Sequence, residues 1–318
     1  MNVVLWPLVI SFLIVIALMP FIIRYFRTKQ LGQVTREEGP SWHMEKSGTP
    51  TMGGVVFILS AIFTVAITSI FDIERSWSVW LLTTIFVLYG LIGFIDDFIK
   101  LFMKRNLGLT SRQKFIAQIL IGVIFYSVLL FKGFDNQLNL PIIGNLPISY
   151  FYGVFAVFWL VGFSNATNLT DGIDGLMAST GMIAYIAYAY IAYLQADWGV
   201  LAFAVSVVGG LLGFFLFNKK PAKIFMGDVG SLALGAGLAA MSILLNVEWT
   251  LLLIGIIFVI ETASVILQVF FYQRTGKRIF KMSPIHHHFE MEGWSEWKIV
   301  SIFAGIGLLG ALLGLFFV

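Results

Sequence analysis

Residues 79–101 read VWLLTTIFVLYGLIGFIDDFIKL, an almost wholly apolar run that closes on two adjacent aspartates, Asp96 and Asp97. From Val79 to Ile95, eleven residues are Val, Leu, Ile or Phe, worth about −3 to −6 kcal/mol on a membrane-insertion scale. One aspartate at the centre of a spanning helix costs about 2.5–3.5 kcal/mol on that scale, so two would cancel the gain. Near the interface the penalty is much smaller. The stretch therefore reads as a transmembrane helix whose carboxylates sit at one edge of the bilayer. Lys100 follows at i+4 from Asp96 and i+3 from Asp97, within reach of either along one helix face. Taken alone, the pair also fits a helix end snorkelling its charges to water. Adjacent carboxylates repel, however, which raises one pKa or recruits a cation.

The rest of the chain extends this reading. Of 318 residues, 59% are hydrophobic and 12% charged, with a mean hydropathy of +0.92, against about 25% charged residues in a soluble domain. This is an integral membrane protein, and soluble classes are excluded. The absence of cysteine removes disulfides, thiolate chemistry and Cys-ligated metals. The opening MNVVLWPLVISFLIVIALMPFIIRYF lacks a basic region before its apolar run and a small-residue cleavage site, so it reads as a retained first span. Crossing the hydrocarbon core takes about 20 apolar residues. Ten stretches qualify, at 3–23, 52–71, 77–97, 114–131, 149–166, 175–194, 198–217, 229–246, 249–273 and 298–318. The fold expectation is an all-α, polytopic bundle of about ten transmembrane helices, a single catalytic domain over 1–318 without a sequence-level repeat.

The loops orient it. Those after spans one, three, seven and nine hold Arg24, Arg27, Lys29, Arg36, Lys46, Lys100, Lys104, Arg105, Arg112, Lys114, Lys219, Lys220, Lys223, Arg274, Lys277, Arg278, Lys281 and Lys298, whereas the opposite face keeps Arg75 and Lys132. The positive-inside rule then places both termini outside and the odd-numbered loops in the cytoplasm. The sequons at Asn165 and Asn168 fall on that cytoplasmic side, where glycosylation does not occur, so those asparagines need another explanation.

The acidic residues gather in the same loops. The fifth loop, FSNATNLTDGIDGL, has no basic residue, and glycines after Asp171 and Asp174 allow a ligand close approach. Its spacing is not that of an EF-hand, and by composition alone it also fits an ordinary turn. The seventh loop, NKKPAKIFMGDVGS, leads from three lysines to Asp228, alone between glycines at the start of span eight. The lysines also serve as topology markers. The ninth, MSPIHHHFEMEGW, carries His286, His287 and His288. Contiguous histidines cannot all face one metal, and no i, i+4 pair is present for zinc. Imidazoles that bind phosphate or assist proton transfer remain open. Carboxylates mixed with Lys and His at a membrane edge suit magnesium-assisted phosphoryl transfer. No Walker-type phosphate loop occurs.

Six stretches, SGTPTMGG at 47–54, GFIDDFIK at 93–100, NATNLTDGIDGL at 165–176, FMGDVGS at 225–231, ETASVILQV at 261–269 and PIHHHFE at 284–290, carry a resemblance. With its ten spans, the chain resembles, end to end, the polyprenyl-phosphate N-acetylhexosamine-1-phosphate transferases, and the first and last stretches are similar to the muramoyl branch. The resemblance implies transfer of phospho-MurNAc-pentapeptide from UDP-MurNAc-pentapeptide to undecaprenyl phosphate, with release of UMP and a requirement for Mg²⁺. This would be an early step of peptidoglycan synthesis in the bacterial plasma membrane, with the site on the cytoplasmic face. It further implies that Asp96 and Asp97 are catalytic carboxylates, that Asp228 is catalytic and the main magnesium ligand, and that His286 assists at the phosphates. Lys100, Asn168, Asp171, Asp174, Phe225, Gln268 and His287 would line the nucleotide pocket, with Phe225 stacking on uracil. A homodimer in the lipid bilayer is implied, and no nucleic-acid partner.

Two rival readings accompany this one. A sister enzyme transferring GlcNAc-1-phosphate would keep the same aspartates and differ at the His loop and GTPTMGG. A secondary transporter draws support from Glu261, near the middle of span nine with Ser264 and Gln268 on its helical face, because an intramembrane ionisable group marks function by default. Transporters, though, place their polar groups at the midplane between repeats, and here the acids crowd one edge. Glu261 then reads as a structural hydrogen-bonder or a support for Gln268.

Overall fold

The computed structural model describes residues 2–29, 48–70, 76–103, 108–140, 144–148 and 151–318. Arg36, Lys46, Arg75, Lys104 and Arg105 of the topology argument lie outside the described residues. The long helices are α1 (Asn2–Thr28), α2 (Gly54–Ile70), α3 (Trp77–Phe102), α4 (Ser111–Phe131), α5 (Phe151–Thr170), α6 (Leu176–Leu194), α7 (Trp198–Asn218) and α8 (Gly227–Leu244). A 3₁₀ turn (Glu248–Thr250) leads into the short α9 (Leu251–Ile254), followed by α10 (Ile256–Thr275), α11 (Ile285–Met291) and α12 (Glu296–Phe316). Among the described residues, eight helices are long and apolar enough to span a membrane, and Gly54–Ile70 is a shorter apolar one. The all-α polytopic expectation holds, and each of the ten expected stretches is helical through most of its length.

Local chemistry sets several boundaries. Thr110 opens α4 with a capping box: its Oγ1 accepts from Gln113 N at 3.2 Å, and Gln113 Oε1 accepts from Thr110 N at 2.9 Å. Ser295 caps α12 by accepting from Lys298 N. Gly276, at φ +67, closes α10 in the left-handed conformation.

The ninth span departs from the expected continuous helix. It breaks at Gly255, which separates α9 from α10. A second departure is a hairpin of β1 (Leu138–Leu140) and β2 (Gly144–Leu146), antiparallel with Asn139 opposite Asn145. Strands this short carry too little periodic signal to be legible.

At the centre stands α8, lined by α3, α5, α2 and α6 and buried through most of its length. Its sequence GDVGSLALGAGLAAMS is mostly small residues, which let helix backbones approach closely in lipid. The fit is tight on both sides. A Cβ on Gly93 of α3 would stand 2.2 Å from Asp228 carbonyl oxygen, and one on Gly235 of α8 would stand 2.1 Å from that of Phe163 in α5. The first contact fixes the end of α3 that bears Asp96 and Asp97 directly against Asp228.

Candidate active site

Neighbouring residues on an α-helix project about 100° apart, so Asp96 and Asp97 reach different partners. Asp96 is fully buried and turns toward α4: its Oδ1 accepts from Leu109 N at 2.7 Å, and its Oδ2 lies 2.5 Å from Lys100 Nζ and 3.0 Å from Lys114 Nζ. Asp97 turns toward α8, where its Oδ2 accepts from Val229 N at 3.2 Å. Asp228 lies in the first turn of α8, where the helix dipole favours a carboxylate. Its Oδ2 is 2.6 Å from Lys114 Nζ and 3.7 Å from Lys100 Nζ. Its Oδ1 accepts from Asn168 Nδ2 at 3.0 Å.

The two sequon asparagines are thus accounted for. Asn168 bridges Asp228 and Ser231 Oγ, and Asn165 donates to Gln118 Oε1 and to its own helix at Val161. Asp228, which looks solitary in the sequence, meets three partners, as many as Asp96.

One ligand oxygen from each of Asp96, Asp97 and Asp228 falls within 4.8 Å of the others. Three carboxylates face two ammonium groups, leaving one negative charge over if all are ionised. An all-oxygen donor set suits a hard divalent cation such as Mg²⁺, whose ligands stand at about 2.0–2.1 Å and hence at most about 4.2 Å from one another. The oxygens already converge to near that separation, so the residues fit the ion.

The fifth-loop aspartates diverge. Asp171 accepts from Gly227 N beside Asp228; burial first, then repulsion by Asp228, pushes its carboxyl up to about 7. Asp174 is a clasp instead: its Oδ2 accepts from Ala222 N at 2.9 Å, and its own N donates to Glu296 Oε2 at 3.3 Å. Glu296 in turn lies 3.1 Å from Lys220 Nζ, so the α5–α6 turn, the α7–α8 loop and the start of α12 are tied together. Phe225 is half-buried, and its backbone explains the conspicuous GTPTMGG stretch. Phe225 N donates to Pro50 O, its carbonyl accepts from Gly53 N, and Gly54 N donates to Met226 O, which sews residues 50–54 to the approach of α8.

The histidines take three separate directions. His286 Nδ1 lies 3.1 Å from Glu261 Oε1, His287 Nδ1 lies 2.6 Å from Glu290 Oε2, and His288 Nδ1 accepts from Lys281 N. Gln268 spends its amide on the chain after α10: its Oε1 accepts from Ile279 N and Phe280 N, and its Nε2 donates to Phe280 O. Of the expected site residues, Asp96, Asp97, Lys100, Asn168, Asp171 and Asp228 form one connected group. His286 abuts it through Gly172, whereas Gln268 and Asp174 brace flanking loops.

Lys114 was legible in the sequence only as a topology marker. Its place in the first turn of a helix, against the dipole, was the available signal that it needs a carboxylate partner. The pairing of Glu261 with His286 had no signal of that kind.

Comparison with known proteins gives the same direction. The family model described as "Glycosyl transferase family 4" matches residues 77–246, and "Phospho-N-acetylmuramoyl-pentapeptide-transferase signature 1" matches residues 46–58. A phospho-N-acetylmuramoyl-pentapeptide-transferase of Enterococcus faecalis is 57% identical over 95% of this chain and 94% of its own. One of Lactobacillus gasseri is 52% identical over 96% of both chains. One of Listeria monocytogenes is 53% identical over 96% of this chain and 94% of its own.

Proposed function

Since the chain belongs to glycosyl transferase family 4 and, within it, to the phospho-N-acetylmuramoyl-pentapeptide-transferases, we propose that it transfers phospho-MurNAc-pentapeptide from UDP-MurNAc-pentapeptide to undecaprenyl phosphate, releasing UMP. The observation that carries the site assignment is the meeting of three carboxylates and two lysines where α3, α4, α5 and α8 end together. A polyprenyl phosphate arrives laterally from lipid and a nucleotide sugar from water, so the two meet at helix ends on one membrane face. The basic bias of the odd-numbered loops supports the cytoplasmic face of a bacterial plasma membrane.

An acceptor phosphate oxygen attacks the sugar-bearing phosphorus of the donor. The new O–P bond forms as the bond to the bridging oxygen breaks, and UMP leaves with that electron pair. Lys100 and Lys114 lie against the charge that this oxygen gains. Asp97, on the α8 side, takes the proton from an acceptor phosphate that carries one, and so raises its nucleophilicity. Asp228 is the main Mg²⁺ ligand, flanked by Asp96 and Asp97 and oriented by Asn168. Bound there, the ion neutralises pyrophosphate oxygens. His286 assists at the phosphates, and Phe225, Asp171, His287 and the loops braced by Asp174 and Gln268 receive the nucleotide. The working form is a homodimer.

The match of the muramoyl signature to residues 46–58 favours this donor over UDP-GlcNAc. The test is UMP release by the purified protein in detergent, with undecaprenyl phosphate and either donor, with and without Mg²⁺. Release that needs the lipid, the metal and the muramoyl donor is the expected result. Release from UDP-GlcNAc alone would move the protein to the sister reaction.

A further inference from the structure

Glu261 and His286 are both fully buried, one on α10 and the other in the first turn of α11. They lie at ion-pair distance, 3.1 Å between Glu261 Oε1 and His286 Nδ1. Both carboxylate oxygens and both ring nitrogens are nonetheless buried without an aligned hydrogen bond to any described residue. Leaving a buried polar group unsatisfied costs about 1–3 kcal/mol, so the facing Glu261 Oε1 and His286 Nδ1 are retained for each other. The ring's far edge has one neighbour that matters. A Cβ on Gly172 would stand 2.1 Å from His286 Nε2, so Nε2 is pressed against the Asp171–Gly172 turn. That turn is in turn held to Gly227, the residue before Asp228.

Building on the transferase reading, we propose that Glu261 is a positioning residue: it holds the proton on His286 Nδ1 and so presents Nε2 of the fixed ring to the Asp171–Gly172 turn beside Asp228. A short rotation of either side chain aligns Nδ1–H with the carboxylate. A ring so held has one tautomer and one orientation, the arrangement by which a carboxylate makes a histidine useful at a phosphate. The same contact gives an ionisable group deep in α10 a role unrelated to transport.

The test separates positioning from packing. Glu261→Leu keeps the volume and removes the acceptor, whereas Glu261→Gln keeps an oxygen acceptor. In Glu261→Leu, kcat is expected to fall about 10- to 100-fold, the scale of a small misplacement at a reacting centre, with the donor KM little changed. Glu261→Gln should recover much of that loss. In a His286→Gln background, Glu261→Leu should cost nothing further, since the two act as one unit. Losses that multiply, or a Glu261→Leu enzyme with wild-type kcat, would overturn the proposal. Nitrogen-15 NMR of the labelled histidines reads the tautomer without turnover, so it decides the pairing independently of the transferase reading. His286 should carry its proton on Nδ1 in the wild type, and an Nε2–H tautomer there would sink the idea. Should Glu261→Leu fail to fold, Gly172→Ala pushes on Nε2 from the other side and should lower kcat without moving the proton from Nδ1. Wild-type kcat in that variant would overturn the contact.

Discussion

The two ends of α5 show how polar groups inside one apolar bundle can be used differently. Asn168, near its C-terminus, belongs to a cluster in which Asp228 meets Lys100, Lys114 and Asn168 at once, and Asp96 meets both lysines. Tyr152, about 24 Å away at the other end by helix rise, donates to Glu248 Oε1. Around that second pair the polar contacts are between neutral groups. Tyr188 bonds Thr250 at 3.0 Å, Trp159 Nε1 donates to Ser242 Oγ at 3.0 Å, and Gln195 Nε2 donates to the Leu245 carbonyl. Burial pushes the Glu248 carboxyl up to about 7 even though the tyrosine bond opposes it. The far end is closed, with Tyr152 and Glu248 both fully buried. The acidic end gathers three carboxylates around two ammonium groups and leaves Lys100, Lys114 and Asp228 partly open to solvent. Structural polarity is turned inward and closed off, whereas a site leaves charged groups open to its ligand.

The sharpest way to break the contrast is Asp228→Asn. The amide preserves size and the bond to Asn168 but removes the charge that both lysines face. We expect UMP release to fall about 10³-fold or more, on the scale of losing a principal electrostatic group, with the purified protein still monodisperse. Retained turnover would leave Asp228 as a first-turn charge that complements the helix dipole. Lys114→Met should cost less, about 10²-fold, because Lys100 still reaches Asp96 and Asp228. If Lys114→Met is as active as wild type, the second cation is structural and the cluster resembles the far end.

Lys114 also marks where sequence reasoning stopped. The spans were legible because about 20 apolar residues are needed to cross a bilayer, and the Asp96–Asp97 pair was legible because carboxylates cannot sit mid-span. That Lys114 rather than Lys100 alone would meet Asp228 depends on packing between residues more than a hundred positions apart. Nothing in a single sequence encodes that directly. Gly255 looked like any other glycine of an apolar run, and its break appears only when α9 packs on α12. Glu261 was recognised as out of place, but its partner His286 approaches from a different element. The Gln268 amide holds residues 279–280, a partnership that no local pattern announces.

At the quiet end, Tyr152→Phe should leave UMP release unchanged while removing the donor from a buried carboxyl. A loss of about 1–3 kcal/mol is expected, read as a lower Tm of the detergent-solubilised protein. A fall in kcat without a fall in Tm would mean that the two ends communicate, and the division drawn above would not stand.

The smallest effect concerns Asp171, which lies between the two styles: burial raises it to about 7, as at the quiet end, while its neighbour Asp228 belongs to the reactive one. A carboxyl raised in the folded state binds more protons there than in the unfolded chain, where its pKa is about 3.9. Its contribution to stability is therefore fully present below about pH 4 and is lost as pH rises toward and through 7. Asp171→Asn cannot titrate, so the difference in Tm between variant and wild type should grow in the variant's favour across that window, by about 2–4 °C for each kcal/mol. Added Mg²⁺ should shrink the difference, because a cation at Asp228 cancels the repulsion that helps to raise Asp171. Parallel Tm curves at every pH would place the Asp171 carboxylate in water and detach its turn from the acidic cluster.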